Sequence, residues 1–266
     1  MAGHGLVGEE RHDGGVVVLR MDRPPAQGFT TELLADLDAA FRDATQDDDV
    51  RCVVITGSGR FFSGGFDMKA PLRGRAETLE MGAVYQSAHR ALVALPKPTL
   101  AALNGHTVAG GLILALACDH RVALADRFRI GLTEVAVGAG YPPAASAIAA
   151  DRLGTHAPEL VLGAELLWSD DPRVSFLFRE TFEVTKFDER VLALARHLAT
   201  FPAAAYAHAK AELVRGVLTR IDSASDADRA DALAVWTDPE SDAARERLRK
   251  VLSGSDRAQS GEEHGH

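Results

Sequence analysis

Apolar positions along this chain change period several times, and each change predicts an element. Residues 15–21 hold the unbroken run Val16-Val17-Val18-Leu19, which reads as a strand. Asp22-Arg23-Pro24-Pro25 closes it, because proline cannot donate to a ladder. Thr30 or Thr31 can cap a helix in which Leu33, Leu34, Leu37 and Phe41 recur at helical spacing and form one buried face. Residues 51–56 are apolar without alternation, as in a strand buried on both sides. A loop rich in Gly, Ser and Phe follows, then a helix over 78–95 that Pro96-Lys97-Pro98 stops. Residues 99–103 form the next strand, a turn at 104–107 leads into an apolar helix, and 121–124 make a further strand. That alternation implies repeated right-handed βαβ turns.

Beyond Pro143 the pattern becomes helical. Residues 188–200 are amphipathic, Pro202 suits a helix start, 203–218 keep helical spacing, and 227–251 supply more helix around Trp236. Residues 253–266 are polar, glycine-containing and charge-rich, the composition of a disordered tail. The organisation expected is a core over 10–190, a helical region over 191–252, and the tail. No repeat of the solenoid kind is visible.

Composition narrows the function classes. A chain of 266 residues with 46% hydrophobic content can bury one substantial core. A formal charge of −9 argues against nucleic acid or an anionic membrane as the main partner, though not against a polyanionic cofactor held by local Lys and Arg. Cys52 and Cys118 lie in apolar runs without a CxxC pair and read as buried thiols of a reducing compartment. Residues 1–10 lack a charged-then-apolar leader, and the longest apolar run, Val108 to Cys118, is short of the ~20 residues a membrane span needs. The expectation is a cytoplasmic protein without a membrane partner.

Several familiar chemistries are excluded by their own spacing. Thr56-Gly57-Ser58-Gly59-Arg60 follows a buried strand, but Phe62 stands where a dinucleotide fingerprint needs glycine, and no GK[ST] exists. It is not a G-x-S-x-G elbow either. Asp47-Asp48-Asp49 reads as a solvated turn, and no H-E-x-x-H occurs, so no metal is expected. Ser63-Gly64-Gly65-Phe66-Asp67-Met68-Lys69 differs: paired glycines permit a tight turn that leaves N–H groups uncovered. Asn104-Gly105 with Gly110-Gly111 repeats the arrangement at a helix mouth, where amides and dipole favour negative charge. Two such donors converging on one oxygen make an oxyanion hole; the alternative is that both pairs only allow close packing. Glu134, between Thr133 and Val135 in an apolar stretch, is a candidate proton carrier whose pKa an apolar cleft would raise, or else a carboxylate bonded to buried backbone.

These segments, in this order and separation, resemble the crotonase (enoyl-CoA hydratase/isomerase) superfamily over roughly residues 14 to 170. The resemblance implies an α/β fold, the crotonase spiral of ββα turns with a helical C-terminal region that associates as a homotrimer or dimer of trimers. It places the oxyanion amides on Phe66 and Gly110 and the proton carrier on Glu134. Gly65, Asp67, Met68, Lys69, Gly111, Ile113 and Thr133 would line the acyl-CoA site, with backbone near Asp67, Met68 and Lys69 holding the adenine of coenzyme A. Coenzyme A would enter as part of the substrate, with no separate cofactor. Hydratases carry a second glutamate where this chain has Ile113. Leu112-Ile113-Leu114 and Gly131-Leu132-Thr133-Glu134-Val135 are closer to 3,2-enoyl-CoA isomerases. The alternatives are a hydratase or other crotonase reaction, with Asp67 or Glu77 as replacement carboxylate, and a non-catalytic acyl-CoA-binding protein that keeps the fold. Ser175-Phe176-Leu177-Phe178 stands in place of the usual G-L-V, and Tyr141-Pro142-Pro143 in place of a glycine-rich turn, which predicts a reshaped acyl pocket.

Overall fold

The computed structural model describes residues 4–67 and 75–247. Its first sheet grows from the apolar runs. Strands β1 (Val7–His12) and β2 (Val16–Met21) form an antiparallel hairpin, and helix α1 (Thr31–Gln46) follows, capped by the Thr30 hydroxyl, which accepts from the Leu33 N–H at 3.3 Å. Strand β3 (Cys52–Thr56) pairs parallel with β2, then comes the short β4 (Phe61–Ser63) and helix α2 (Arg75–Ala94). Strand β5 (Thr99–Leu103), β6 (His106–Val108) and helix α3 (Gly110–Ala117) lead to β7 (His120–Leu124) and β8 (Arg129–Gly131). Helix α4 (Pro143–Leu153), β9 (Leu167–Trp168), β10 (Glu180–Phe182), and helices α5 (Phe187–Ala199), α6 (Ala203–Asp222) and α7 (Asp226–Thr237) complete the order.

Two sheets result: six strands in the order β1-β2-β3-β5-β7-β10, parallel from β2 onward, and four in the order β4-β6-β8-β9. Alternate residues of the large sheet serve different layers, as the pleat requires. Val17, Leu19, Val53, Ile55, Ala101 and Leu103 face the main core with α1, α2 and α3. Val16, Val18, Cys52, Val54, Leu100 and Ala102 face Phe187, Val191, Ala195 and Leu198 of α5. Both faces are covered, which is why β3 and β5 read as unbroken apolar runs.

Two segments expected to be turn or loop contain strands. The turn at 104–107 contains β6, and the Gly-Ser-Phe loop contains β4; together they form the parallel ladder of the small sheet. The boundary at 190 falls inside α5, which packs on the large sheet, while α6 packs on α2 and α4. The charged segment 7–12 is a strand, paired through its whole length with β2. Residues 253–266 lie outside the described residues. Cys52 and Cys118 are free and buried, and among the described residues no helix is long and apolar enough to cross a membrane.

Candidate active site

The small sheet brings the two glycine turns into contact. Phe29 forms an isolated parallel bridge with Phe66: its N–H donates to the Gly65 carbonyl at 2.7 Å, and its carbonyl accepts from the Asp67 N–H at 3.1 Å. Because those bonds use the residues flanking Phe66, the Phe66 N–H points to the other side and has no partner among the described residues. Gly65 sits at φ +77, and a Cβ there would come 2.8 Å from the Gly110 nitrogen. A Cβ on Gly111 would lie 2.3 Å from the Ser63 carbonyl oxygen. Glycine is thus demanded by the approach of the Ser63–Phe66 turn to the mouth of α3, as well as by torsion.

Gly110 is the first residue of α3, so its N–H has no acceptor within the helix. Ala109 before it adopts φ 52 and ψ −128, a conformation that L-residues rarely take, while its N–H donates to the Gly131 carbonyl at 2.8 Å. That strained joint fixes the helix mouth against β8. The turn that carries Phe66 therefore meets the positive end of α3, a helix buried along its whole length, and neither the Phe66 nor the Gly110 amide has a partner among the described residues.

Glu134 follows β8 at the start of a single 3-10 turn, Val135–Val137, and its carbonyl accepts from the Ala139 N–H at 2.8 Å. Its side chain is 8% exposed, and burial pushes its carboxyl up to about 7. Its own backbone N–H, and then the Tyr141 hydroxyl, which donates to Glu134 Oε2 at 3.0 Å, partly offset that rise. Tyr85 of α2 is buried between the Phe66 ring, at 5.2 Å, and the His89 ring, at 3.9 Å. Its phenol is pushed up by burial first and then by the Glu134 charge, and its hydroxyl has no partner among the described residues. His89 donates through Nδ1 to the Tyr85 carbonyl at 2.8 Å, and burial holds its ring down to about 4, so it is neutral.

An apolar crevice opens beside these groups, lined by Phe66, Met81, Gly82, Pro142, Pro143 and Trp236. Its far wall comes from α7 and the helical stretch after it. Trp236 donates through Nε1 to the Gly140 carbonyl at 3.3 Å, and Arg245 donates to the Gly138 carbonyl at 2.6 Å. The loop carrying Glu134 is thereby gripped from the C-terminal side.

The structure brings Gly65, Phe66, Gly110 and Gly111 together. Glu134 stands in the same region through the shared neighbours Phe66 and Tyr85, and Ile113 is fully buried in α3. Thr133 is half-buried beside Glu134. Asp67 is held by Arg23, Nη2 to Oδ2 at 2.7 Å, so a role as spare carboxylate would require breaking that pair. Glu77 lies in the first turn of α2. Met68 and Lys69 lie outside the described residues. Among the described residues no three His, Cys, Asp or Glu side chains are placed to hold a metal. Tyr85, Ala109, Tyr141 and Trp236 join the site without having been singled out for it. Only the Tyr141-Pro142-Pro143 departure pointed that way.

Two stacked sheets with parallel ladders, adjacent backbone amides at a helix mouth and a helical C-terminal region define the crotonase fold. The chain belongs to the enoyl-CoA hydratase/isomerase family, whose profile matches residues 11–240. A probable enoyl-CoA hydratase, EchA17, of Mycobacterium avium is 31% identical over 236 residues, covering 86% of each chain. The apo structure of an enoyl-CoA isomerase of Mycobacterium tuberculosis superposes with a TM-score of 0.75 at 29% identity, covering 86% of this chain and 98% of that one. Human mitochondrial Δ3-Δ2-enoyl-CoA isomerase shares the fold at a TM-score of 0.87 and 21% identity, covering 94% and 99%.

Proposed function

We propose that this protein acts on acyl-CoA thioesters and isomerises a 3-enoyl-CoA to the trans-2-enoyl-CoA. The observation that carries the reading is that Glu134 is the one buried carboxylate among the described residues, while position 113 is a buried isoleucine. The Phe66 and Gly110 amides hold the thioester oxygen, so charge that develops there on loss of a C2 proton meets two fixed donors. Glu134 takes that proton, giving a dienolate, and returns it at C4 as the double bond moves from C3–C4 to C2–C3. The apolar crevice beside Phe66 takes the acyl chain. One carboxylate suffices for this transfer, whereas addition of water calls for a second group to orient the nucleophile.

Hydration is the second reading, favoured by the unpartnered Tyr85 hydroxyl, which can hold a water in the field of Glu134. Purified protein assayed with 3-enoyl-CoA and 2-enoyl-CoA of several lengths separates the two. Isomerisation much faster than hydration is expected, and Glu134→Gln should lower kcat on the order of 10²–10⁴ with little change in binding. Efficient hydration of crotonyl-CoA by the unmodified protein would return the choice to hydratase. The acyl-CoA-bound assembly is proposed to be a trimer or a dimer of trimers in the cytoplasm.

A further inference from the structure

The carboxylate of Glu134 has one side-chain hydrogen-bond partner among the described residues, the Tyr141 hydroxyl on Oε2. The partner's position is fixed from several sides. Gly140, immediately before it, is locked against α7, where a Cβ would lie 2.4 Å from the Ala232 carbonyl oxygen, and its own carbonyl accepts from Trp236. Pro142 and Pro143 follow and start α4, restricting the backbone on the other side. Tyr141 itself is half-buried and packs against the main core.

The geometry points to Tyr141 as the positioning residue for Glu134: it engages Oε2 and favours the ionised carboxylate. The inference rests on the reading of Glu134 as the proton carrier. A donor to the charged form opposes the desolvation that burial imposes, so the carboxyl titrates lower with the hydroxyl than without it. The backbone N–H of Glu134 itself acts in the same sense, and Tyr141 is the one side chain among the described residues that does. From α2 the facing titratable group is Tyr85, with neutral His89 stacked behind it. Helix α3 contributes no titratable side chain, and α4 carries only Asp151 and Arg152, which pair with each other near its far end. From the C-terminal side Arg229 lines the crevice, and Arg245 spends its contacts on the Gly138 and Trp236 carbonyls and on Asp242.

Tyr141→Phe keeps the ring and its packing and removes the hydroxyl alone. Two measurements test the consequence in the full-length protein. In the first, side-chain carboxyl carbons of glutamate are followed by 13C NMR across pH, the Glu134 signal being the one absent from Glu134→Gln. Its midpoint is expected to move up by about 1–2 pH units in Tyr141→Phe. In the second, the acid limb of the kcat/KM profile for the 3-enoyl-CoA moves up by the same interval. At pH 6 the variant then loses on the order of tenfold or more relative to its loss at pH 9, with KM nearly unchanged. An unmoved NMR midpoint, or a rate lowered equally at every pH, overturns the positioning role. Full turnover by Glu134→Gln overturns the reading of Glu134 instead, and the NMR midpoint still decides the hydrogen bond.

Discussion

At the scale of single residues, the proposed role of Glu134 sets function against stability. Its carboxyl titrates at about 7 in the folded protein, above the ~4.3 of an unfolded glutamate, so the native state binds the extra proton. The sign follows directly: stability is intact below pH ~4.3 and falls as pH rises through about 7, where the buried side chain ionises. Glu134→Gln keeps an acceptor for Tyr141 and cannot ionise. It should therefore stabilise the protein by about 3 kcal/mol at pH 8, with the gain fading toward pH 5, as urea unfolding at several pH values would show. An inactive variant more stable than its parent fits a base kept in an apolar site at a cost to folding. Glu134 and Ile113 were legible in the sequence because short motifs flank them. Tyr141 was visible only as a departure from a pattern, since its bond to Glu134 closes across a turn whose path α7 decides. Tyr85 gave no signal, because a tyrosine on a buried helix face reads as core.

At the scale of elements, the mouth of α3 depends on backbone approach more than on side-chain choice. Gly111→Ala would drive a methyl into the Ser63 carbonyl, so α3 must retreat from the turn that carries Phe66. We expect kcat to fall on the order of 10²–10³ through loss of one donor's alignment, and stability to fall by about 1–3 kcal/mol; steady-state kinetics and thermal melts read the two separately. The long elements were legible for a physical reason: α1, β2, β3 and β5 bury enough consecutive or periodic residues to leave a pattern. β4, β6 and β8 span three residues each, too few to show alternation, and their pairing is set by the glycine turns around them. β1 leaves no apolar pattern because, as an edge strand with Glu9, Glu10 and Arg11, it carries the charge that discourages pairing with a second chain.

At the scale of the whole molecule, the C-terminal helices are fastened to the core by polar contacts that composition alone conceals. Lys210 of α6 is buried and donates to Asp119 Oδ2 at 2.9 Å; the same oxygen accepts from the Tyr206 hydroxyl at 2.9 Å and the Thr99 N–H at 3.0 Å. Lys210→Met strands that carboxylate among groups arranged for a cation. It should cost about 3–5 kcal/mol in urea unfolding while leaving the pH midpoint of turnover in place. Helix α5 packs on the large sheet, and α7 with the stretch after it holds the Glu134 loop, contacts between distant segments that helical periodicity does not encode.

The adjacent amides of Phe66 and Gly110 also bear on how such a chain can change over generations. An amide belongs to every residue except proline, so almost any codon change at these two positions leaves a donor in place, provided the turn still forms. Side chains at 113, 134 and 141 have no such protection, and on the proposed reading a single substitution at any of them alters what happens to the proton. On the proposed reading, a lineage could therefore exchange its acid–base groups without first relearning how to hold a thioester. A library randomised at those three positions should be rich in variants that still bind acyl-CoA and poor in variants that keep the parental reaction.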